Sequence, residues 1–481
     1  MKTLGIEQAI ADHAEKQPEK EALVVGDLSL SYSELWRGIK SAAAALSPYE
    51  GGVLLLPAEK RVEFVFHYFG AHMAGVANLL IDPKISEAAL GAVVGVLPPT
   101  CSLAFQVDQC PALPVMDWEL GISPEVQEIA FPKPDRVADY MFTTGTTGRP
   151  KCVPLSNGNL AASANNINTF IGNTDKDREL LALPLCHSFG LGRLRCQFLA
   201  GGTAVLIPNF GNERKVLKLL QRDNITGFAM VPAAWMYLKH LCEAKLAIAG
   251  RRLHYIEFGS ASLPIEEKRR LMQLFPRTRL CMHYGLTEAS RSTFIEFHSE
   301  EKHLDTVGKA SPNTKIIICG ENGSRQRIGE LGEVCIGGEH VTPGYLNKPN
   351  AECFFGEYFR TGDQGYIDTE GYVHLTGRLK ELINVGGKKV SPDEVDTVLM
   401  RYPGVKECAC VAAQDPAGIL GEVVKAWIVL EEGVQKPSDD ALTMFLRRHL
   451  ETYKIPRMFS YRTEPLPRTS SGKLLRGELR E

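Results

Sequence analysis

Strand-like and helical runs alternate along the chain as far as about Lys315, and this pattern constrains the fold more than any other feature. Short apolar runs such as Thr203–Ile207 and Leu280–Tyr284 predict strands, whereas Glu213–Arg222 and Ile265–Phe275 have the spacing of helices. Alternation of this kind is typical of parallel sheets with helices on both faces. The sequence therefore predicts the α/β fold class, with a large N-terminal domain.

The pattern changes beyond that point. Ile316–Cys319, Gly332–Ile336 and Tyr372–Leu375 predict short strands separated by glycine-rich turns, which is typical of an antiparallel sheet or a β-barrel-like subdomain. The last hundred or so residues predict helices and strands in a compact α+β arrangement. We place the boundary where Gly377-Arg378 leads into charged residues. The expected division is a large domain over 1–376, a connection at 377–381 and a small domain over 382–481.

Charge and cysteine usage exclude several classes of protein. The 481 residues carry 54 Lys and Arg against 57 Asp and Glu, a net charge of −3, so no basic surplus is available for nucleic acid. The 12 cysteines are scattered without a CxxC pair, and the N-terminus lacks a signal-peptide pattern, so we expect reduced thiols and a cytoplasmic protein. The uncharged runs Phe64–Ile81 and Ala88–Val107 are interrupted by polar residues or prolines. We expect both runs to form core and no membrane span.

One loop carries the most specific local motif. Tyr140–Phe142 predicts a short strand, and it runs into a loop of four threonines and two glycines that ends at Lys151. Small residues allow close approach to the backbone, while N–H groups, hydroxyls and one ammonium can donate to a polyphosphate. The spacing is not that of a Walker A loop. Taken alone, a loop of this composition is usually only a connection, so its function depends on the motifs that follow it.

Four further motifs follow in order. They are Tyr284-Gly-Leu-Thr-Glu288, Tyr358-Phe-Arg-Thr-Gly-Asp363, Gly377-Arg-Leu-Lys-Glu-Leu-Ile383 and Pro467-Arg-Thr-Ser-Ser-Gly-Lys473. With the threonine-rich loop they make the chain resemble the adenylate-forming superfamily over essentially its whole length. That superfamily includes acyl- and aryl-CoA synthetases such as 4-coumarate–CoA ligase, adenylation domains of peptide synthetases, and firefly luciferase.

The resemblance implies an ATP-dependent, AMP-forming ligase that uses Mg²⁺. A carboxylate attacks the α-phosphorus of ATP, which gives acyl-AMP and pyrophosphate, and a thiol then displaces AMP. Both steps develop negative charge that preorganised donors and a divalent ion can stabilise. No nucleophilic side chain is needed, so we assign no cysteine a covalent role. The thiol belongs to coenzyme A or to the phosphopantetheine of a carrier protein.

The resemblance also assigns residues to the nucleotide. It implies that Glu288 binds Mg²⁺ and that Thr287 lies near the α-phosphate. It also implies that Asp363 binds the ribose hydroxyls and that Arg378 supports Asp363. Lys473 becomes the catalytic lysine of adenylation, carried by a small mobile lid-like domain. The other implied ATP-binding residues are Thr143, Thr144, Gly145, Thr146, Thr147, Gly148, Lys151, Gly259, Ser260, Tyr284 and Gly285.

The acid-binding residues follow from offsets to the same motifs. His187 is implied beside the carboxylate, and Ser188 stands where amino-acid-adenylating relatives carry Asp, so an α-amino acid is disfavoured. The implied wall of the acyl pocket consists of Phe189, Arg193, Gly259, His283, Gly285 and Arg291. The bulk of Phe189 and His283 favours a short or aromatic acid. Arg193 and Arg291 either pair with a second anionic group of the substrate or are tied to Glu257 or Glu296.

The last implied roles concern the second half-reaction. Lys380 matches the hinge position, and Gly386, Gly387 and Lys388 would line the approach of the thiol, although Lys388-Lys389 could equally be a solvated edge. Two alternatives stay open: a stand-alone enzyme that loads a carrier protein, and an inactive nucleotide-binding scaffold. Oxygenation of the adenylate, as in luciferase, has no supporting feature.

Overall fold

A computed structural model describes residues 4–103, 110, 112–119, 130–144, 150–222, 224–468 and 474–480. Five residues with predicted roles lie outside this part of the chain, namely Gly145, Thr146, Thr147, Gly148 and Lys473.

Eleven α-helices are present in the described residues. They are α1 (Ile6–Lys16), α2 (Tyr32–Leu46), α3 (Val62–Ala74), α4 (Glu87–Val96), α5 (Asn157–Ile171), α6 (Ser188–Ala200), α7 (Glu213–Arg222), α8 (Pro232–Ala249), α9 (Ile265–Leu274), α10 (Pro392–Leu399) and α11 (Asp439–Leu446). Short 3₁₀ helices cover Ser47–Tyr49, Gly250–Arg252, Glu301–His303, Asn350–Glu352, Thr452–Lys454 and Arg476–Leu479.

Twenty-five strands are present in the same residues. They are β1 (Glu21–Val25), β2 (Leu28–Ser31), β3 (Val53–Pro57), β4 (Ala77–Ile81), β5 (Cys101–Leu103), β6 (Val115–Met116), β7 (Val137–Thr144), β8 (Pro150–Ser156), β9 (Arg178–Leu181), β10 (Thr203–Leu206), β11 (Gly227–Met230), β12 (Tyr255–Phe258), β13 (Arg279–Tyr284), β14 (Thr293–Glu296), β15 (Lys309–Ala310), β16 (Lys315–Cys319), β17 (Gly332–Gly337), β18 (Phe354–Phe355), β19 (Tyr358–Ile367), β20 (Val373–Arg378), β21 (Ile383–Val385), β22 (Lys388–Val390), β23 (Val405–Gln414), β24 (Glu422–Leu430) and β25 (Met458–Arg462).

The chain forms two compact units. The first unit comprises Met1–Ile316 with Ile336–Phe359, and the second comprises Ile317–Cys335 with Arg360–Glu481. The residues of the predicted hinge, 377–381, belong to the second unit, and their role as a hinge stays a prediction.

Two large sheets organise the first unit. One has nine strands in the order β15-β14-β13-β12-β11-β9-β10-β1-β2, and the other has six in the order β6-β5-β3-β4-β7-β8. Pairing is parallel through the middle of both sheets, and antiparallel pairs occur at their ends, such as β1 with β2 and β7 with β8. The strand–helix alternation in the sequence therefore predicted the parallel pairing correctly.

Local sequence signals explain several of these elements. Ser31 caps α2, because its hydroxyl accepts from the Glu34 amide at 3.3 Å while the Glu34 carboxylate accepts from the Ser31 amide at 2.8 Å. The uncharged run Phe64–Ile81 forms most of α3 and all of β4, and both elements are largely buried. In the described residues, no helix is both long and apolar enough to cross a bilayer.

The second unit has a smaller core. Its three-stranded sheet has the order β23-β24-β25, with β23 antiparallel and β25 parallel to β24. Buried residues of α10 and α11, such as Val395 and Leu442, pack against strand residues such as Val424. The hairpin of β19 and β20 and the short hairpin of β21 and β22 are antiparallel.

Candidate active site

One edge of the nine-stranded sheet gathers several residues predicted to bind the acid or ATP. β9, β11, β12 and β13 run parallel, so their carboxyl ends meet at the same edge. Gly259 and Ser260 follow β12, Gly285 follows β13, and the segment after β9 leads to His187. Open α/β sheets bind ligands beyond the carboxyl ends of their strands. The first unit therefore brings these predicted residues to the edge where such sheets bind ligands.

Two glycines at this edge are required by packing. A Cβ atom on Gly259 would lie 2.1 Å from Cε1 of His283, and one on Gly285 would lie 2.4 Å from the backbone nitrogen of Arg291. Ser260, next in the chain, is exposed and has a φ of +72°, in the left-handed region. The backbone can approach these neighbours only because the side chains of both glycines are absent.

His187 occupies the position immediately before α6 and is half-buried. Burial lowers the pKa of its imidazole, although the charge of Asp82 opposes the effect. Its Nε2 atom is buried and has no hydrogen-bond partner within the described ranges. A neutral imidazole with an unsatisfied nitrogen is suited to a polar group of a ligand.

Phe189 and His283 form an aromatic pair. Their ring centroids are 4.7 Å apart at an interplanar angle of 87°, which is an edge-to-face contact. The guanidinium carbon of Arg291 lies 4.8 Å from the centroid of the Phe189 ring. Burial lowers the pKa of His283, so its ring is neutral near pH 7 despite the nearby carboxylate of Glu257. The two rings thus form one rigid aromatic surface.

A buried charge network lies behind this surface. Oε1 of Glu257 is 3.0 Å from Nε of Arg291 and 2.7 Å from Nδ1 of His283. The other nitrogens of Arg291 donate to the carbonyl oxygens of Ser188 at 3.1 Å and Phe189 at 2.8 Å. Burial opposes ionisation of Glu257, but its charged and hydrogen-bonding neighbours, Arg291 first among them, outweigh burial and hold the pKa of Glu257 well below its usual range. The arrangement found for Arg291 is therefore the second alternative raised by the sequence, a guanidinium tied to Glu257.

Arg193 belongs to the same buried charge network. Its Nε and Nη2 atoms donate to Glu179 at 2.8 and 2.7 Å, and Nη2 also donates to the Tyr255 hydroxyl at 2.8 Å. Nη1 lies 3.5 Å from Oε2 of Glu257. All four charged groups are buried, and the two guanidiniums are matched by two carboxylates. A contact of Arg193 or Arg291 with substrate stays a prediction. All three nitrogens of Arg291 already donate, whereas Nη1 of Arg193 makes no hydrogen bond to the residues that the structure describes.

Glu288 lies in the loop that joins β13 to β14, directly after the half-buried Thr287. Its carboxylate is buried, and Oε1 accepts a hydrogen bond from the Tyr345 hydroxyl at 2.5 Å. The ammonium of Lys151 lies 4.8 Å from the centroid of the same tyrosine ring. Lys151 is paired with Thr143 across β7 and β8, and Thr144 is the last residue of β7. Two predicted polyphosphate and metal groups, Lys151 and Glu288, therefore meet at one tyrosine.

Glu288 has the chemistry of a magnesium ligand. Mg²⁺ is usually held by one or two carboxylates together with substrate phosphates and water. Among the described residues, no group of three or more His, Cys, Asp and Glu side chains could hold a metal ion by itself. A single carboxylate that shares a tyrosine with a lysine predicted to bind phosphate fits an ion that arrives with a nucleotide.

The second unit pairs two predicted ribose residues. Asp363 on β19 is opposite Arg378 on β20, and Oδ1 of Asp363 lies 2.7 Å from Nε of Arg378. Within β19, the backbone amide of Asp363 donates to the Thr361 hydroxyl at 3.0 Å. The two oxygens of one carboxylate suit a pair of neighbouring hydroxyls, and Arg378 holds that carboxylate in place.

The residues predicted for the thiol path form a hairpin in the second unit. Gly386 and Gly387, with φ values of +57° and +84°, are the two turn residues between β21 and β22. Positive φ at both turn positions is the requirement of a two-residue hairpin turn, so glycine is needed there for the backbone alone. The ammonium of Lys388 lies 4.5 Å from the ring centroid of Tyr453. Lys380 lies between β20 and β21.

Family comparisons decide the identity of the chain. Residues 10–346 match the family described as AMP-binding enzyme, and residues 394–473 match the AMP-binding enzyme C-terminal domain. The chain belongs to the AMP-binding enzyme family.

Comparison with individual proteins supports the same family assignment for this AMP-binding enzyme. It is 30% identical to the 2-succinylbenzoate–CoA ligase of Bacillus velezensis over 98% of this chain and 97% of that protein. It is 35% identical to the oxalate–CoA ligase of Arabidopsis thaliana over 71% of this chain and 67% of that protein. It is also similar to the o-succinylbenzoate coenzyme A synthetase of Bacillus subtilis in complex with ATP and magnesium ion, with a TM-score of 0.86, 28% identity, and 98% of each chain covered.

These findings confirm the predicted superfamily, fold class and class of enzyme: the chain is an AMP-forming ligase of the acyl-CoA synthetase type. Ligases of this class use ATP, Mg²⁺ and coenzyme A.

Sequence reasoning missed Tyr345. It follows Pro343-Gly344 in a stretch for which the sequence predicts no helix or strand, and in which the structure has none. It carries no charge, and its spacing from other residues does not mark it as a site residue. Only the folded chain brings its hydroxyl to Glu288 and its ring to Lys151.

Proposed function

We propose that this AMP-forming ligase adenylates a short or aromatic carboxylic acid other than an α-amino acid, and transfers the acyl group to the thiol of coenzyme A. The observation that carries the substrate class is the surface formed by Phe189 and His283, because it combines bulk, aromatic character and neutrality. An aromatic or short acyl group can stack against such rings, whereas a long chain would need a deeper apolar path.

Charge balance supports the same class. Arg193 and Arg291 are both buried and are matched by Glu179 and Glu257, so these two guanidiniums carry no surplus positive charge for a second anionic group of the substrate. A second carboxylate at this surface would be desolvated next to two guanidiniums whose charges are already balanced by carboxylates, which is unfavourable. Ser188 supplies no carboxylate for an α-ammonium group.

The following roles are proposed for the residues that bind ATP, Mg²⁺ and the carboxylate of the acid. Glu288 would hold Mg²⁺, and the ion would supply positive charge next to the phosphates; Thr287 and Lys151 donate to phosphate oxygens. Asp363, oriented by Arg378, accepts from the ribose hydroxyls. His187 lies beside the carboxylate of the acid, and Lys473 bridges that carboxylate and the α-phosphate. The remaining predicted residues of the threonine-rich loop, from Thr143 to Gly148, keep their proposed role as phosphate donors.

The two half-reactions require two arrangements of the chain. We propose a large domain over 1–376 and a small lid domain over 382–481 that reorients about the hinge at Lys380. In the second arrangement Gly386, Gly387 and Lys388 line the thiol path. We place the reaction in the cytoplasm, and the observation that supports this is that all 12 cysteines are free.

The experiment is a substrate panel scored by AMP release from ATP and Mg²⁺. The panel contains short, aromatic and dicarboxylic acids, including oxalate and 2-succinylbenzoate. Each acid is tested with hydroxylamine alone, with coenzyme A, and with a pantetheinylated carrier protein. We expect AMP and acyl-CoA to appear together for short or aromatic monocarboxylic acids. Preference for dicarboxylic acids would refute the charge argument, and acyl transfer only to the carrier protein would refute coenzyme A as acceptor.

A further inference from the structure

The segment from Glu339 to Leu346 is fastened to both elements that carry the proposed phosphate and metal groups of the first unit. The amide of Thr342 donates to the carbonyl oxygen of Glu288 at 2.8 Å, and its hydroxyl donates to the carbonyl oxygen of Pro154 on β8 at 2.6 Å. β8 is the strand that carries Lys151 near its start. One short segment thus ties the loop of Glu288 to the strand of Lys151.

Tyr345 in this segment contacts the functional group of each of these two residues. Its hydroxyl donates to Oε1 of Glu288 at 2.5 Å, and the ammonium of Lys151 lies 4.8 Å from its ring centroid. The tyrosine ring packs edge-on against Phe359 with a centroid distance of 5.9 Å, next to the buried side chain of Val341. The ring is therefore held by apolar contacts in addition to its contacts with the two charged groups.

We propose that Tyr345 is a positioning residue for the adenylation reaction. Its hydroxyl fixes the rotation of the Glu288 carboxylate, which would hold Mg²⁺ in that orientation. Its ring face holds the Lys151 ammonium at the end of the threonine-rich loop. This inference rests on the metal and phosphate roles proposed for Glu288 and Lys151.

Removing the hydrogen bond to Glu288 and removing the cation–π contact with Lys151 should have different measurable effects. A hydrogen bond to a charged group is among the stronger kinds of hydrogen bond, and groups that orient a metal ligand change metal affinity by about 10- to 100-fold when removed. A cation–π contact at a partly exposed site is weaker and corresponds to a change of about 2- to 5-fold. Losing the hydroxyl should therefore change the Mg²⁺ requirement, and losing the ring should also weaken the binding of ATP without metal.

The test uses three variants of the full chain and one matched control. Tyr345→Phe removes the hydroxyl and keeps the ring, Tyr345→Leu removes both, and Glu288→Gln removes the proposed metal ligand itself. Tyr32→Phe is the control, because the Tyr32 hydroxyl is also buried and donates to the carbonyl oxygen of Gly202 at 2.7 Å. Two quantities are measured: the Mg²⁺ concentration for half-maximal hydroxamate formation at saturating ATP, and the calorimetric dissociation constant of ATP in EDTA.

For Tyr345→Phe we expect a Mg²⁺ requirement raised about 10-fold or more with unchanged binding of ATP in EDTA. For Tyr345→Leu we expect the same shift and, in addition, ATP binding in EDTA weakened about 2- to 5-fold. Tyr32→Phe should leave both quantities at the wild-type values.

The outcomes separate this inference from the proposed function. A normal Mg²⁺ requirement in Glu288→Gln would refute the metal role of Glu288, and the positioning role would fall with it. If the Mg²⁺ requirement is raised in Glu288→Gln but unchanged in Tyr345→Phe, only the positioning role of Tyr345 is refuted. An equal shift in Tyr32→Phe would show that loss of any buried hydroxyl has this effect, which also refutes that role.

Discussion

Replacement of Glu257 by Gln is the most informative single change in the first unit. Glu257 lies on β12 with no solvent exposure, and its two oxygens face Arg291 and His283 on one side and Arg193 on the other. Gln has nearly the same shape, so the substitution removes the charge and leaves the packing almost intact. In the variant, the two positively charged guanidiniums of Arg193 and Arg291 are then balanced by a single carboxylate, that of Glu179.

The expected loss follows from this uncompensated charge. Breaking a buried ion pair by removing one partner destabilises proteins by about 3–5 kcal/mol, because the other partner stays desolvated. The structure predicts a loss in this range for Glu257→Gln, since the Arg291 nitrogen lies 3.0 Å from the carboxylate that disappears. Adding Arg291→Met should restore most of the stability, because the double variant leaves only the matched pair of Arg193 and Glu179.

The assay is hydrogen exchange of the β12 and β13 amides as a function of urea, which reports the free energy of opening of these strands. Wild type, Glu257→Gln and the double variant with Arg291→Met are compared. Glu243→Gln, which breaks the partly exposed pair with Arg270, is the control and should change little. A loss below about 1 kcal/mol in the single variant, or a double variant no more stable than the single, would refute the reasoning.

Three further changes test other parts of the chain. Burial opposes protonation of His72, but hydrogen bonds to Asp139 and Glu7 outweigh it and raise its pKa from 6.5 to about 9. The stabilisation by protonated His72 is therefore complete below pH 6.5 and is lost as the pH rises through 9, so the melting temperature should fall over that interval in the wild type and stay flatter in His72→Gln. His283→Gly should extend activity to longer acids if the ring ends the pocket, and an unchanged chain-length profile would make His283 a packing residue only. Asp363→Ala should raise the KM for ATP about 10-fold or more, as expected for a lost hydrogen bond to a charged group, and an unaltered KM would remove Asp363 from the nucleotide site.

Local sequence determined most of the secondary structure. The structure has a capping box at Ser31 and Glu34 and a β1–β2 hairpin that turns at Gly26-Asp27, and both features depend on partners only a few residues apart. The helical spacing of Glu213–Arg222 is reproduced to the residue by α7. Signals of this kind could be read from the sequence because every partner lies within about one turn or one strand.

The proximity of some candidate site residues could also be predicted. Asp363 and Arg378 lie in separate motifs, and the antiparallel pairing of β19 and β20 places them opposite each other. Their association was implied by the resemblance of these motifs to those of the adenylate-forming superfamily. For Arg291 the sequence left two alternatives open, because a guanidinium looks the same in a sequence whether it faces a ligand or a carboxylate.

Tertiary structure alone decided which charges are neutralised and which groups are oriented. Glu179 and Arg193 are 14 residues apart and fully buried together, and Tyr345 reaches Glu288 across 57 residues of chain. Such contacts depend on how strands and loops pack in three dimensions, and no periodicity encodes them. The sequence by itself determined the elements, the family motifs and the chemistry they carry. The packing determined the neutral aromatic surface at the sheet edge and the tyrosine between Lys151 and Glu288, because burial fixes the charge and rotation of a side chain only when all of its neighbours are in place.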